Sequence, residues 1–309
     1  MDTAHPSRDA AAALPAGLER GYTHGPRPRL HYVAAGAGPP VLLLHGFPDY
    51  WYGWRHQFGP LAAAGYRVVA PDQRGYNRSD KPRSVRAYRL DVLAGDVLRL
   101  ADAVAPRQPF ALVGHDWGAV VAWWVALHHP ERLRRLVILN APHPAVLRSH
   151  PRRALAQLRR SWYIAFFQLP ALPEWLLRGH GFGGLEWVLR ASSRADAFSE
   201  CDLVRYRAAW ASPGALPSML NWYRALIRYP VRPRHSRVSV PTLILWGEQD
   251  VALDRELAEP SRDLCDDGRL VFFAHASHWP HDEEPARVNS LLLGFLEGGT
   301  AAGGADSLA

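Results

Sequence analysis

Two cysteines, Cys201 and Cys265, are all that this 309-residue chain carries. That is too few for a disulfide framework, and no paired-cysteine spacing is present to build a zinc site. The two thiols suit a reducing compartment, so a cytoplasmic home is expected. No apolar run reaches the roughly 20 residues needed to cross a bilayer, so no membrane span is expected. The stretch from Met1 to Gly17 holds Asp2 and Asp9 and lacks the basic-then-apolar order of a secretory signal. Also missing is any nucleic-acid motif to accompany the formal charge of +7. That charge is carried mostly by arginine and is densest at Arg148 to Arg160 and Arg224 to Arg237. The runs read as solvated helix faces; recruitment of an anionic substrate is the alternative. His278-x-x-His281 is not a zinc-protease spacing, and no metal is expected. No serine sits in Gly-x-Ser-x-Gly and neither cysteine follows an apparent strand, which removes the ordinary esterase nucleophiles.

What is present is globular: 48% apolar and 21% charged residues. Residues 1 to 20 read as a loose arm, and Arg29 to Ala34 as an outer strand. Buried strands follow at Val41 to Leu44, Tyr66 to Ala70, Phe110 to Val113 and Leu136 to Leu139. Helical patterns separate them at Trp51 to Ala64, Tyr88 to Ala105 and Gly118 to His129. This alternation predicts a mostly parallel sheet with helices on both faces. From His143 to about Ser236 the strand-like runs vanish, and a helical insertion is expected. Alternation resumes with Thr242 to Trp246, a helix near Leu253 to Cys265, the strand Leu270 to Phe273 and a helix from Glu284 to Leu296. A split core of residues 1–142 and 237–309 with a cap of 143–236 is the expected organisation. The tail from Gly298 reads as disordered.

Between the strand Phe110 to Val113 and the helix after it stands Gly114-His115-Asp116-Trp117-Gly118. Gly-x-Asp-x-Gly at a strand-to-helix junction has the shape of a nucleophile elbow, with Asp116 as the side chain pushed into the open. The alternative is that Asp116 is simply a helix N-cap. His45, Asp72, Asn140, Asp250 and His278 also follow strand ends. Ligands bind beyond the carboxyl ends of strands in such a sheet, so these residues should gather on one rim under the insertion.

Taken together, His45-Gly46-Phe47-Pro48, Asp72-Gln73-Arg74-Gly75-Tyr76, Gly114 to Gly118, Asn221-Trp222-Tyr223-Arg224, Trp246-Gly247-Glu248-Gln249-Asp250 and Ser277-His278-Trp279 resemble the α/β-hydrolase-fold epoxide hydrolases. The resemblance runs from about residue 25 to 297. It implies Asp116 as nucleophile, His278 as base and Asp250 as its orienting acid. It also implies Phe47 and Trp117 as backbone donors of an oxyanion hole, and Tyr163 and Tyr223 as ring-opening acids. Phe47, Trp117, Phe167 and Trp279 are expected to line the substrate pocket. Ser277 stands where many members have glycine.

These residue types suit the chemistry. A carboxylate attacks a saturated carbon without losing a proton and becomes an ester. Phenols, with an ordinary pKa of about 10, supply protons to the departing ring oxygen. An imidazole oriented by a carboxylate then activates water against the ester. The substrate would be a small epoxide, apolar or aromatic, with water as co-substrate and no cofactor; oligomeric state is left open. Each residue also has a plainer reading. His278 could be a buried structural histidine. Asp250 could be a turn residue, with Glu248 or Asp254 as the acid. Tyr223 shares a helical face with Met219, Leu226 and Ile227 and could belong to the core. A dehalogenase using the same Asp116 ester is the nearest alternative activity, and a non-catalytic binding relative the next.

Overall fold

The computed structural model describes residues 17–25, 28–146, 157, 160–233 and 235–298. Most of the N-terminal arm, the tail beyond Gly298 and most of Arg148 to Arg160 lie outside the described residues. Eight strands form one sheet: β1 (Glu19–Tyr22), β2 (His31–Ala35), β3 (Pro40–Leu44), β4 (Arg67–Pro71), β5 (Phe110–His115), β6 (Leu133–Leu139), β7 (Thr242–Gly247) and β8 (Gly268–Phe273). Their spatial order is β1-β2-β4-β3-β5-β6-β7-β8. The first two pairings, β1 with β2 and β2 with β4, are antiparallel, and every later pair is parallel. The strand at Arg29 to Ala34 is therefore not the edge. The edge is β1, whose exposed Glu-Arg-Gly-Tyr carries no apolar alternation to announce it.

Strands β3, β5 and β7 are buried along their whole length, as continuous apolar runs in a parallel sheet must be. Helices α1 (Arg55–Ala63), α2 (Leu90–Val104) and α3 (Trp117–His128) connect the first parallel strands. Among the described residues four more follow β6: α4 (Trp162–Phe166), α5 (Leu172–Ala191), α6 (Glu200–Trp210) and α7 (Ala215–Arg228). Among the described residues no strand interrupts this stretch. The chain closes with α8 (Ala258–Asp263), α9 (Pro280–Glu283) and α10 (Pro285–Leu296). The helix expected from Leu253 is delayed to Ala258, because Asp254 caps a 3-10 turn first.

Two features of this topology place the site. The chain runs from β3 outward to β4, then crosses back to β5 on the other side of β3. The loops after β3 and β5 thus diverge at a topological switch, the place where such sheets bind ligands. The α4–α7 stretch, with Arg160 just before it, is bonded onto the loops at that end of the sheet. Trp210 Nε1 donates to the Pro48 carbonyl at 2.6 Å, Trp222 Nε1 to the Arg74 carbonyl at 3.0 Å, and Arg160 Nη1 to the Asp250 carbonyl at 3.0 Å.

Candidate active site

Asp116 sits between β5 and α3 with φ 49° and ψ −119°, a region that non-glycine residues rarely occupy. Its side chain makes no capping bond to the helix, so it does not act as an N-cap, and the strained strand-to-helix turn has the geometry of an elbow. A side chain on Gly118 would meet the carbonyl oxygen of Leu44, and one on Gly46 would meet the Asp116 carboxylate itself. Both glycines are needed for close approach rather than for flexibility. The Asp116 side chain keeps 18% exposure, so it is reachable.

Phe47 N–H donates to Asp116 Oδ1 at 2.8 Å. The turn that presents Phe47 is fixed by His45, whose Nδ1 bonds the Gly46 carbonyl at 2.9 Å while Nε2 accepts from Gln73 N–H at 3.0 Å. Burial pulls His45 down to about 4, so it stays neutral and keeps that tautomer. Trp117 N–H is the first amide of α3, one of those that have no partner within the helix itself, where the helix dipole favours negative charge.

His278 Nε2 faces Asp116 Oδ2 at 3.7 Å, and its Nδ1 bonds Asp250 Oδ2 at 2.7 Å. Glu248 pairs instead with Arg255, and Asp254 caps its own turn, so neither competes for the imidazole. Asn140 Nδ2 also donates to Asp250 Oδ2 at 2.7 Å, and the Ala252 and Leu253 amides donate to Oδ1 at 2.7 and 3.0 Å. Sequence reasoning put Asn140 on the rim and gave it no task. Its strand-end position was the only signal.

The charges are coupled. Burial alone would push Asp116 and Asp250 up; the facing His278 charge and the donors just named outweigh it and leave both carboxyls low. His278 feels the reverse. Burial would lower it, but Asp250 and Asp116 together raise it to about 10. The free site is thus an imidazolium between two carboxylates. Asn140→Ala is expected to loosen Asp250, since hydrogen bonds to buried charge are worth about 1.5–3 kcal/mol. Turnover should fall about tenfold or more and the melting temperature by several degrees. Unchanged values in both assays would mean Asp250 is held without Asn140.

Tyr163 on α4 and Tyr223 on α7 meet edge to face, ring centroids 5.8 Å apart. Tyr223 also packs on Trp117 at 5.0 Å, Phe167 at 4.9 Å and Phe47 at 5.4 Å. Gln168 Nε2 donates to the Tyr223 carbonyl at 3.0 Å and ties the two segments together. Burial, then the Asp116 charge, raises both phenols, so each carries its proton at neutral pH. Tyr223 and Met219 are buried while Leu226 and Ile227 are exposed, so the helical face expected to be uniform is divided along its length.

Trp279 stands apart from this aromatic box, contrary to the expectation that it lines the pocket. It is fully buried, donates to Ser192 Oγ at 2.9 Å and packs on Phe198 and His115, so it supports the His278 loop from beneath. Ser277 bonds the Ser192 carbonyl and Glu283, which accounts for a residue larger than glycine there. His115 Nε2 donates to the His278 carbonyl at 2.7 Å from the same side. Ligand atoms of Asp49, His115 and His281 lie within 4.8 Å of one another below it, all buried.

Comparison with known proteins gives this geometry its place. Residues 39–285 match the α/β hydrolase fold family. Epoxide hydrolase 4 of Mus musculus is 38% identical over 278 residues, covering 87% of this chain and 76% of the relative. This chain belongs to the α/β-hydrolase-fold epoxide hydrolases. The AB hydrolase superfamily protein YfhM of Bacillus subtilis is 45% identical over 270 residues, covering 87% of this chain and 94% of that protein. The crystal structure of a point mutant of an epoxide hydrolase from Bacillus megaterium, complexed with its naphthyloxy-propanediol product, superimposes with a TM-score of 0.83 at 30% identity. That match covers 90% of this chain and all of the other. As family members have it, the sheet is mostly parallel with helices on both faces.

Proposed function

We propose that this chain hydrolyses epoxides to vicinal diols through an ester on Asp116, under a cap formed by residues 143–236. One observation carries the reading: a carboxylate held low at a sharp elbow stands 3.7 Å from a carboxylate-bound imidazole, and two protonated phenols packed on each other feel its charge.

In the first step Asp116 Oδ2 attacks a ring carbon and the carbon–oxygen bond of the epoxide breaks. Tyr163 or Tyr223 gives its proton to the ring oxygen. The phenolate recovers a proton from the imidazolium of His278, directly or through solvent. Oδ1 is the atom held by Phe47 N–H, so the ester forms with its carbonyl oxygen already in the donor site. Esterification removes the Asp116 charge, which is one of the two that hold the proton on His278. Its affinity for that proton falls, and the imidazole becomes a base. In the second step His278 takes a proton from water, and the hydroxide attacks the Asp116 carbonyl carbon. The Phe47 and Trp117 amides bear the tetrahedral oxyanion, a donor set worth about 3–4 kcal/mol per member. Collapse breaks the acyl–oxygen bond, the departing alkoxide takes the proton of the newly formed carboxyl group, directly or through His278, and the carboxylate, the imidazolium and the free diol result.

The substrate class that suits the box of Phe47, Trp117, Phe167 and the two tyrosines is a small apolar or aromatic epoxide, with water as co-substrate. The test is a pair of conservative changes. Tyr163→Phe and Tyr223→Phe should each slow formation of the ester about 10–100-fold, and the double variant should slow it by about 10²–10⁴-fold. Hydrolysis of ester already formed should be little changed. Single-turnover kinetics with a styrene-oxide-like epoxide separates the two steps. Bromide release from a bromoalkane at a rate matching diol formation would favour a dehalogenase instead.

A further inference from the structure

The outer face of the α4–α7 stretch carries apolar side chains that no other described residue covers. Leu172, Trp175 and Leu176 stand one helical turn apart on α5 and are exposed, Trp175 at 71%. Leu169 precedes them, and Ile227 and Tyr229 at the end of α7 are exposed as well. These two groups are neighbours. Arg224 on α7 donates to the Phe167 and Leu169 carbonyls and pairs with Glu174, and Arg228 donates to the Gln168 carbonyl. The patch is also cationic. Arg178, Arg228 and Arg232 are exposed around it, and Glu174, the sole acid in residues 166–178 and 221–233, is neutralised by Arg224.

We propose that this face docks on an anionic lipid surface. Trp, Tyr and Leu ringed by arginine is the composition of interfacial segments, in which aromatic and aliphatic groups enter the headgroup boundary and the cations meet lipid phosphate. A second copy of the chain is a poorer occupant, because two-fold pairing of this face sets its arginines against each other. The position of a nearby crevice points the same way. Leu226, Tyr229, Pro230 and Val231 at the edge of the patch line a crevice of about 60 Å³, which Tyr88, Leu90 and Trp117 also line. An apolar epoxide dissolved in the bilayer would meet the mouth of that crevice without crossing water. This last point rests on the epoxide reading; the surface chemistry does not.

The experiment is co-sedimentation of the full chain with phosphatidylcholine vesicles, with and without phosphatidylglycerol, at low and high salt. Wild-type protein should sediment with the anionic vesicles only and be released by salt. Trp175→Glu should abolish sedimentation. Arg178→Glu and Arg232→Glu should each weaken it about fivefold or more, from the usual worth of one basic residue at such a surface. Hydrolysis of a water-soluble epoxide should be the same in all three variants, which shows that they fold and reads the site chemistry separately. Three results would each overturn the proposal: no sedimentation of wild-type protein, equal sedimentation of Trp175→Glu, or a solution dimer that Trp175→Glu dissociates. The last would assign the face to a second copy. Absence of epoxide turnover in every protein, wild type included, would sink the hydrolase reading and leave the sedimentation result standing.

Discussion

Replacing His278 with glutamine is expected to stop turnover after one equivalent of epoxide has been consumed per chain. The first step needs no base, because Asp116 is already ionised and the protons for the ring oxygen are on phenols. The other imidazoles near Asp116 are engaged elsewhere: both ring nitrogens of His45 bond backbone, and His115 Nε2 bonds the His278 carbonyl. Glutamine can take the imidazole's place but cannot accept a proton from water. The ester should therefore accumulate, and intact-protein mass spectrometry should find the chain heavier by one epoxide, on the peptide that contains Asp116. Ring opening itself should slow, since the imidazolium that helps keep Asp116 ionised is gone. Steady-state diol formation should fall by about 10²–10⁴-fold, the usual worth of a general base. Diol released at a near-normal rate, or protein left unmodified while epoxide is consumed, would refute the two-step scheme.

Asp116→Asn removes the nucleophile and should produce neither diol nor adduct, a loss of about 10⁴–10⁶-fold on the scale of other nucleophile deletions. It should also change how stability depends on pH. In the wild-type site His278 holds its proton more tightly than a free imidazole does, up to about 10. A proton held more tightly in the folded state stabilises the fold fully below the free value, about 6.5, and that contribution is lost as pH rises toward about 10. Without the Asp116 charge the folded-state value falls and the loss is complete at lower pH. Imidazole titration by NMR, with denaturant unfolding at several pH values across this window, would read both effects. An unchanged titration of His278 would mean that Asp116 does not act on it.

Much of this was legible from residue order, and the reason is physical. Buried parallel strands must be continuous apolar runs, so β3, β5, β6 and β7 announce themselves, and the residue after each lands at the same end of the sheet. Asp116 and Asn140 are found that way, and Asp250 stands three residues past the end of β7. What the pattern could not supply was the pairing of one rim residue with another. Asn140 supports Asp250 through a hydrogen bond across neighbouring strands, and no linear spacing encodes it. Trp279 was misjudged for a related reason. A residue next to the key histidine can point either way, and here Ser192 and Phe198 draw it under the loop. The edge strand β1 escaped because an exposed four-residue strand has no core face to pattern.

The ladder between β3 and β5 brings Leu44 opposite Gly114, and the Phe47 amide and the Asp116 carboxylate follow directly from those two strands. Their separation is set by sheet register, which side-chain rearrangement elsewhere does not alter. The two tyrosines instead ride on helices inserted between β6 and β7. In the proposed mechanism the labour is thus divided between the sheet, which holds the ester and its donor, and a roof of helices, which brings the acids. On that reading a roof hinged away would abolish ring opening while the ester beneath still faced its water. Divergence in the roof would then retune which ethers are accepted without rebuilding the hydrolytic half.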